Sequence, residues 1–181
     1  MRLDRDDESA ESLSPHIELI HATQEQQQVL SNLLELYVYD FSELLSLDTQ
    51  EDGRFGYKHL PLYWSEAGRH PFLVRVDGKL AGLVLVKRGP GVSRDEVVWD
   101  IAEFFVLRRY RRHGVGMRVA HEVWRRFPGA WEVRVREGNE PAQRFWVRAV
   151  ESFNGQAALS ARVEDDGDWW QVFSFESRPV V

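Results

Sequence analysis

The 181-residue chain contains no cysteine. This absence excludes disulfide bonds, thiolate metal ligands and a cysteine nucleophile in a single observation. Long apolar runs are missing as well, since no stretch approaches the roughly 20 residues that a membrane-spanning helix needs. The first residues are charged and polar rather than typical of a signal peptide. We therefore expect a soluble cytoplasmic protein that has no membrane partner.

Basic residues are fewer than acidic ones: the chain has 23 Lys and Arg and 29 Asp and Glu, which gives a formal net charge of −6. Domains that bind nucleic acids usually carry a basic surface, so this balance argues against a nucleic-acid partner. The 6 histidines show no metal-ligand spacing such as His-x-x-x-His, and we predict no metal site. The 43% of hydrophobic and 12% of aromatic residues are ordinary for a folded globular chain.

The periodicity of apolar residues predicts how the chain is organised. Residues 1–15 are charged and nearly free of core-forming side chains, so we expect a mobile N-terminal arm, followed by a single domain over 16–181. Apolar alternation predicts strands at about 17–20, 72–76, 80–86, 96–107, 131–135, 157–163 and 169–175. Helical spacing predicts helices after Thr23, after Gly114 and over 140–150. These elements predict an α/β fold, in which a mixed central sheet has helices on both faces.

The run Arg111-Arg112-His113-Gly114-Val115-Gly116 lies between a predicted strand and a predicted helix. The first turn of a helix presents unpaired N–H groups and the positive end of the helix dipole. Glycines let the backbone approach an anion closely, and arginines add charge and hydrogen-bond donors. A Walker loop and a dinucleotide fingerprint both have a different spacing. The run therefore predicts a site for a phosphorylated cofactor, and the alternative is an exposed basic turn.

Two motifs in this chain resemble those of a known family. The loop fits the pattern Arg/Gln-x-x-Gly-x-Gly/Ala, and Asn139-x-x-Ala142-x-x-Phe145-Trp146 is similar to the family's downstream Asn-x-x-Ala-x-x-Phe-Tyr. Residues 95–150 thus resemble the coenzyme-A core of the GCN5-related N-acetyltransferases, the GNAT superfamily. The resemblance implies an acyl-CoA N-acyltransferase-like fold with a mostly antiparallel central sheet.

The resemblance also implies an activity. Members of the family take an acetyl group from acetyl-CoA, the donor co-substrate expected here, and pass it to an acceptor. We expect a primary amine of a small molecule or a peptide as the acceptor. An acyltransferase with a different acyl donor or a hydroxyl acceptor is an open alternative. A homodimer is expected because two-fold dimers are the commonest oligomers.

The resemblance implies a set of cofactor-binding residues. Backbone N–H groups of the loop and of the helix start would hold the coenzyme pyrophosphate, with Arg111 opening the motif. The preceding strand would splay from its neighbour, leaving backbone groups of Phe105 and Val106 to pair with the coenzyme arm. Asn139 would bond the cofactor or cap the next helix. The predicted cofactor-binding residues are Phe105, Val106, Arg111, Arg112, His113, Gly114, Val115, Gly116, Met117, Asn139 and Trp146.

Glu103 is the candidate catalytic residue, because a carboxylate in an apolar strand is costly to bury. Strand alternation places it on the face of Phe105 and opposite Phe104 and Val106. Burial would raise its pKa, which suits a base that takes a proton from an ammonium group near neutral pH. Three roles are open: a general base or water relay, an anchor for the substrate ammonium, and a structural ion pair with an arginine.

Trp146 departs from the family pattern. The usual tyrosine protonates the departing thiolate, whereas an indole N–H has no proton to give at physiological pH. Trp146 would position the sulfur, leave the proton to another hydroxyl or a water, or pack with Phe145 under the cofactor. It favours an alternative function, a non-catalytic acyl-CoA-binding module of the same fold.

Five further residues lie where family members build acceptor pockets. Aromatic rings with an acid can hold an amine, but core packing is the preferred interpretation of each. The five are Tyr37, Tyr39, Asp40, Trp64 and His70.

Overall fold

The computed structural model describes residues 14–92 and 97–178. Its strands are β1 (Ile17–His21), β2 (Arg69–Val76), β3 (Lys79–Pro90), β4 (Val97–Val106), β5 (Gly129–Arg136), β6 (Ser160–Asp165) and β7 (Asp168–Ser177). Its helices are α1 (Gln27–Leu45), α2 (Leu62–Ser65), α3 (Val115–Arg126) and α4 (Glu140–Asn154). In the described ranges, no helix has the length and apolar character needed to cross a membrane. Of the predicted N-terminal arm, residues 1–13 lie outside the described residues.

The seven strands form one sheet in the order β1-β2-β3-β4-β5-β7-β6. β4 and β5 run parallel, and the other neighbouring strands are antiparallel. The parallel pair results from the α3 crossover, which returns the chain to the same end of the sheet. This architecture confirms the predicted mixed, mostly antiparallel α/β fold. The first long helix starts later than predicted, because Thr23 precedes a 3-10 turn at Gln24–Gln26 before α1 begins.

Helices cover both faces of the sheet, as predicted. α3 and α4 pack on one face, in a large core whose fully buried side chains include Trp124, Trp131 and Phe173. α1 and α2 pack on the other face in a smaller core. Consecutive residues of β4 belong to different cores, with Phe105 in the smaller one and Val106 in the larger one. The alternation of strand side chains therefore distributes β4 between two separate environments.

β4 and β5 separate part-way along their length. Two residue pairs join them, at Trp99 and Asp100 of β4, and beyond Asp100 the described strands form no further pair. β4 continues to Val106 beside β3 alone. Gly82 of β3 permits this close pairing, since a Cβ there would lie 2.0 Å from the Phe105 carbonyl oxygen. From Ile101 to Val106, β4 thus presents an edge that does not pair with β5.

Candidate active site

The basic glycine loop connects β4 to the amino terminus of α3. Gly114 is the N-cap of α3 with a positive φ of 74°, and no side-chain hydrogen bond caps the helix. The first backbone bond of the helix runs from the Arg118 N–H to the Gly114 carbonyl at 3.1 Å. The amides of the first turn, at residues 115–117, therefore have no acceptor within the helix. With the positive end of the helix dipole, they form a site suited to an anion.

The space around Gly114 is open. Arg112, His113 and Gly114 are exposed, and a Cβ built on Gly114 would meet nothing within 4 Å. Gly116 lies against α4 instead, where a Cβ would come 3.2 Å from the Phe145 ring. The structure therefore brings the predicted residues from Arg112 to Met117 together around an open helix terminus. Their binding to coenzyme A stays a prediction.

The Arg111 side chain is engaged within the protein. Its Nε donates to the Val106 carbonyl at 2.6 Å, and its Nη2 donates to the Asp40 carboxylate at 2.5 Å. Arg108 bonds the same carboxylate at 2.7 Å. Burial alone would raise the pKa of Asp40, but the bonds from Arg111 and Arg108 lower it below its usual value. Arg111 thus links the end of β4 to α1. Only part of its guanidinium is left to bind a ligand at the loop.

Glu103 faces α1 and α2, on the same side of β4 as Phe105, as predicted. A β-bulge lies just before Glu103, since Leu85 pairs with Glu103 while Val86 pairs with Ile101, so that Ala102 is an extra residue in β4. The Glu103 Oε1 accepts a hydrogen bond from the Tyr57 hydroxyl at 2.7 Å. In the part of the chain that the structure describes, Glu103 forms no ion pair with an arginine.

The surroundings of Glu103 favour a basic carboxylate. Burial raises its pKa, while hydrogen bonds from the Tyr37 and Tyr57 hydroxyls act in the opposite direction, and the net result is a pKa above the ordinary value. A carboxylate with a raised pKa is a stronger base than a solvated one. The role of Glu103 as a proton acceptor for an ammonium group stays a prediction.

Sequence reasoning missed Tyr57. It lies in the connection between α1 and α2, 46 positions before Glu103. Neither its spacing nor its neighbours in the sequence link it to Glu103, and only the tertiary fold brings the two together.

The downstream motif lies at the start of α4. The Asn139 Oδ1 accepts the Ala142 N–H at 3.2 Å, which is the helix-capping alternative. Trp146 is 6% exposed, and its ring lies 5.0 Å from that of Phe104 and 6.0 Å from that of Trp124. The structure therefore places the indole in the larger core, in agreement with the packing interpretation.

The five residues proposed for an acceptor pocket do not converge. Tyr39 is 65% exposed, the Trp64 Nε1 donates to the Ala22 carbonyl at 3.1 Å, and His70 packs on Phe127. Asp40 bonds arginines, as described above. Of the five, Tyr37 alone faces Glu103.

A sequence model of the acetyltransferase (GNAT) family matches residues 33–150. The chain belongs to the GNAT acetyltransferase family. The match includes most of α1, the connection that carries Tyr57, Glu103, the glycine loop and most of α4. The two motifs thus identified the family correctly.

Solved structures of GNAT proteins share the fold at low sequence identity. NAA60 of Arabidopsis thaliana in complex with acetyl-CoA is 14% identical, with a TM-score of 0.59 over 89% of this chain and 98% of that chain. An acetyltransferase from Thermus thermophilus is 16% identical, with a TM-score of 0.60 over 88% and 96%. A spermidine N-acetyltransferase chimera that includes the Vibrio cholerae enzyme is 11% identical, with a TM-score of 0.59 over 89% and 95%. No curated protein sequence gives a significant match.

Proposed function

We propose that the protein is an N-acetyltransferase that moves the acetyl group of acetyl-CoA to a primary amine by direct transfer in a ternary complex. One observation carries this proposal: the Glu103 carboxylate lies on the part of β4 that has separated from β5, 11 positions before Gly114, the N-cap of α3. A proton acceptor and an anion site are thereby placed along one continuous stretch of chain.

Acetyl-CoA is the donor because the described residues fit both its pyrophosphate and its amide-bearing arm. The first-turn amides of α3 and the exposed Arg112 would hold its pyrophosphate. The uncovered edge of β4 at Phe105 and Val106 would pair with its amide-bearing arm, as a peptide pairs with a sheet edge. The acetyl-CoA complex of NAA60, which shares the fold, supports this assignment. The co-substrate supplies the thioester whose carbonyl carbon accepts the amine.

Each proton transfer of the reaction has a donor and an acceptor. Glu103, directly or through a water, takes the proton of the acceptor ammonium and frees the nitrogen lone pair. The nitrogen then bonds the acetyl carbon as the carbon–sulfur bond breaks and the thiolate leaves with the electron pair, and the nitrogen releases its second proton to water to give the neutral amide. A backbone N–H near Val106 would stabilise the carbonyl oxygen as it gains charge. Because Trp146 has no proton to give, the thiolate takes its proton from water or from a hydroxyl.

A primary amine is the acceptor class that fits best. A partly buried carboxylate with a raised pKa suits proton removal from an ammonium group. Among proteins that share the fold, NAA60 was solved with a bisubstrate analogue, Naa50 with the analogue CoA-Ac-MVNAL, and another structure is a spermidine N-acetyltransferase chimera. Peptides and small amines are therefore both candidates.

A second candidate is a non-catalytic acyl-CoA-binding protein. The observation in its favour is Trp146, which is buried in the core at the motif position of the family's tyrosine.

A thiol-release assay separates the two functions. The protein is mixed with acetyl-CoA and a panel of primary amines that includes short peptides, polyamines and amino acids, and free coenzyme A is measured against reactions without amine. We expect amine-dependent thiol release and an acetylated product by mass spectrometry. Binding of acetyl-CoA without release for any amine would establish the non-catalytic candidate instead.

A further inference from the structure

Ionisable groups from five elements face the Glu103 carboxylate. They are Tyr37 on α1, Tyr57 in the α1–α2 connection, Tyr63 on α2, Lys87 on β3 and Asp100 on β4. Lys87 lies 3.5 Å from the Asp100 carboxylate, and this pairing directs the ammonium toward Asp100. Tyr37 and Tyr57, in contrast, direct their hydroxyl groups at Glu103 itself.

The Tyr57 hydroxyl is a permanent donor. Burial, followed by the negative charge of Glu103, raises the pKa of Tyr57 far above its ordinary value. The phenol therefore keeps its proton near neutral pH, and it does not compete with Glu103 as a base. A hydrogen bond given to the ionised form of a carboxylic acid stabilises that form and opposes the effect of burial.

The backbone next to Tyr57 is held by α1. The Glu35 carboxylate accepts the N–H groups of Phe55 at 2.7 Å and of Gly56 at 3.1 Å. The Gln50 amide donates to the Phe55 carbonyl at 2.8 Å from the other side. Two successive amides on one carboxylate fix the orientation of the loop immediately before Tyr57. The position of the phenol thus depends on a residue of α1 that does not itself touch Glu103.

We propose that Tyr57, held in place by Glu35, is a positioning residue that orients the Glu103 carboxylate and keeps it ionised in its partly buried site. This inference rests on the proposed function, in which Glu103 accepts the proton of the acceptor ammonium. Burial makes Glu103 more basic by raising its pKa. The hydrogen bond from the Tyr57 phenol limits how far the pKa of Glu103 rises. Without that donor, a larger share of Glu103 is protonated near neutral pH and cannot act as a base.

The test compares Tyr57→Phe with Tyr39→Phe, which removes a hydroxyl from an exposed ring of α1. The Glu103 carboxyl is titrated by NMR in protein labelled with carbon-13 glutamate, with Glu103→Gln used to assign its signal. We expect Tyr57→Phe to raise the Glu103 pKa by about one unit. Glu35→Ala should move it in the same direction, and Tyr39→Phe should leave it unchanged.

The pH profile of kcat/KM, measured with the best amine of the thiol-release panel, provides the second readout. For Tyr57→Phe we expect activity about tenfold lower at the acid limb, recovering toward the wild-type value as pH rises. An unchanged Glu103 titration in folded Tyr57→Phe overturns the proposal, as does an equal loss of activity at every pH. If no amine is acetylated by the wild-type protein, the proposed function fails, while the NMR titration still decides whether Tyr57 sets the ionisation of Glu103.

Discussion

Glu103 combines two opposing influences on its ionisation. Its location against α1 and α2 disfavours the charged form and raises the pKa, whereas the hydroxyls of Tyr37 and Tyr57 favour the charged form. The net result is a pKa above the ordinary value, which makes Glu103 a stronger base than a solvated glutamate. This combination is what removal of a proton from an ammonium group requires.

Glu103→Gln tests this role at the residue scale. The amide keeps the size of the side chain and an acceptor for Tyr57 but takes up no proton. We expect kcat/KM to fall by about 10²–10³-fold at neutral pH, with a smaller loss as pH approaches the pKa of the acceptor amine. Glu122→Gln, on the surface of α3 where Glu122 pairs with Arg126, is the control and should retain activity. Equal activity of wild type and Glu103→Gln across the pH range would exclude the base.

Trp146 is a packing residue in this account, and Trp146→Phe separates packing from proton supply. The substitution removes the indole N–H and part of the ring from the core formed with Phe104 and Trp124. We expect a loss of about 1–3 kcal/mol in the free energy of unfolding and a kcat within about threefold of wild type, both measured on the same preparation. A loss of kcat of a hundredfold or more in the folded variant would assign the indole a role in the reaction.

At the scale of elements, β3 and β4 approach each other closely near the end of β4. The ideal Cβ at Gly82 would lie 2.0 Å from the Phe105 carbonyl oxygen, while at Gly89 of the same strand it would meet nothing within 4 Å. Gly82 thus permits the backbone of β4 to lie close to β3 at the point where β5 has already diverged.

Gly82→Ala and Gly89→Ala form a matched pair on β3. Because the methyl group at position 82 would overlap the β4 backbone, we expect Gly82→Ala to lower the free energy of unfolding by about 2–4 kcal/mol. Gly89→Ala should change it by less than about 1 kcal/mol. Chemical denaturation monitored by tryptophan fluorescence measures both values. Similar stabilities for the two variants would show that β3 and β4 adjust without cost.

Local physics made part of the site predictable from the sequence. The glycine loop could be predicted because a helix start and its free amides follow from the residues on each side of it. The face of Glu103 could be predicted because strand side chains alternate, although the bulge before it left no signal. The separation of β4 from β5 was implied by family resemblance alone, since strand pairing does not appear in the residues of one strand.

The remaining part of the site depends on contacts between distant segments. The bond between Tyr57 and Glu103 spans 46 positions, and the bond between Arg111 and Asp40 spans 71. The family resemblance placed Arg111 at the opening of the cofactor-binding motif, and only the fold shows that its guanidinium bonds α1 and the end of β4. Such contacts follow from the packing of α1 on the sheet and have no counterpart in local spacing.

At the scale of the whole molecule, one strand connects the two sides of the proposed reaction. β4 has Glu103 and Phe105 toward α1 and α2, and Val106 toward α3 and α4. Its carboxyl end leads into the anion site at the start of α3. The proposed reaction depends above all on the binding of acetyl-CoA at this helix terminus, because that binding would position the thioester beside Glu103.

Isothermal titration with acetyl-CoA tests this claim most directly. We expect a dissociation constant of about micromolar order for the wild type, weakened by about tenfold or more in Arg112→Glu and Gly114→Asp, which place negative charge in the loop. Arg88→Glu, on β3 opposite Trp99 near the start of β4, makes the same charge change as Arg112→Glu and should bind like the wild type. Absence of binding by folded wild-type protein, or equal weakening in all three variants, would contradict the account.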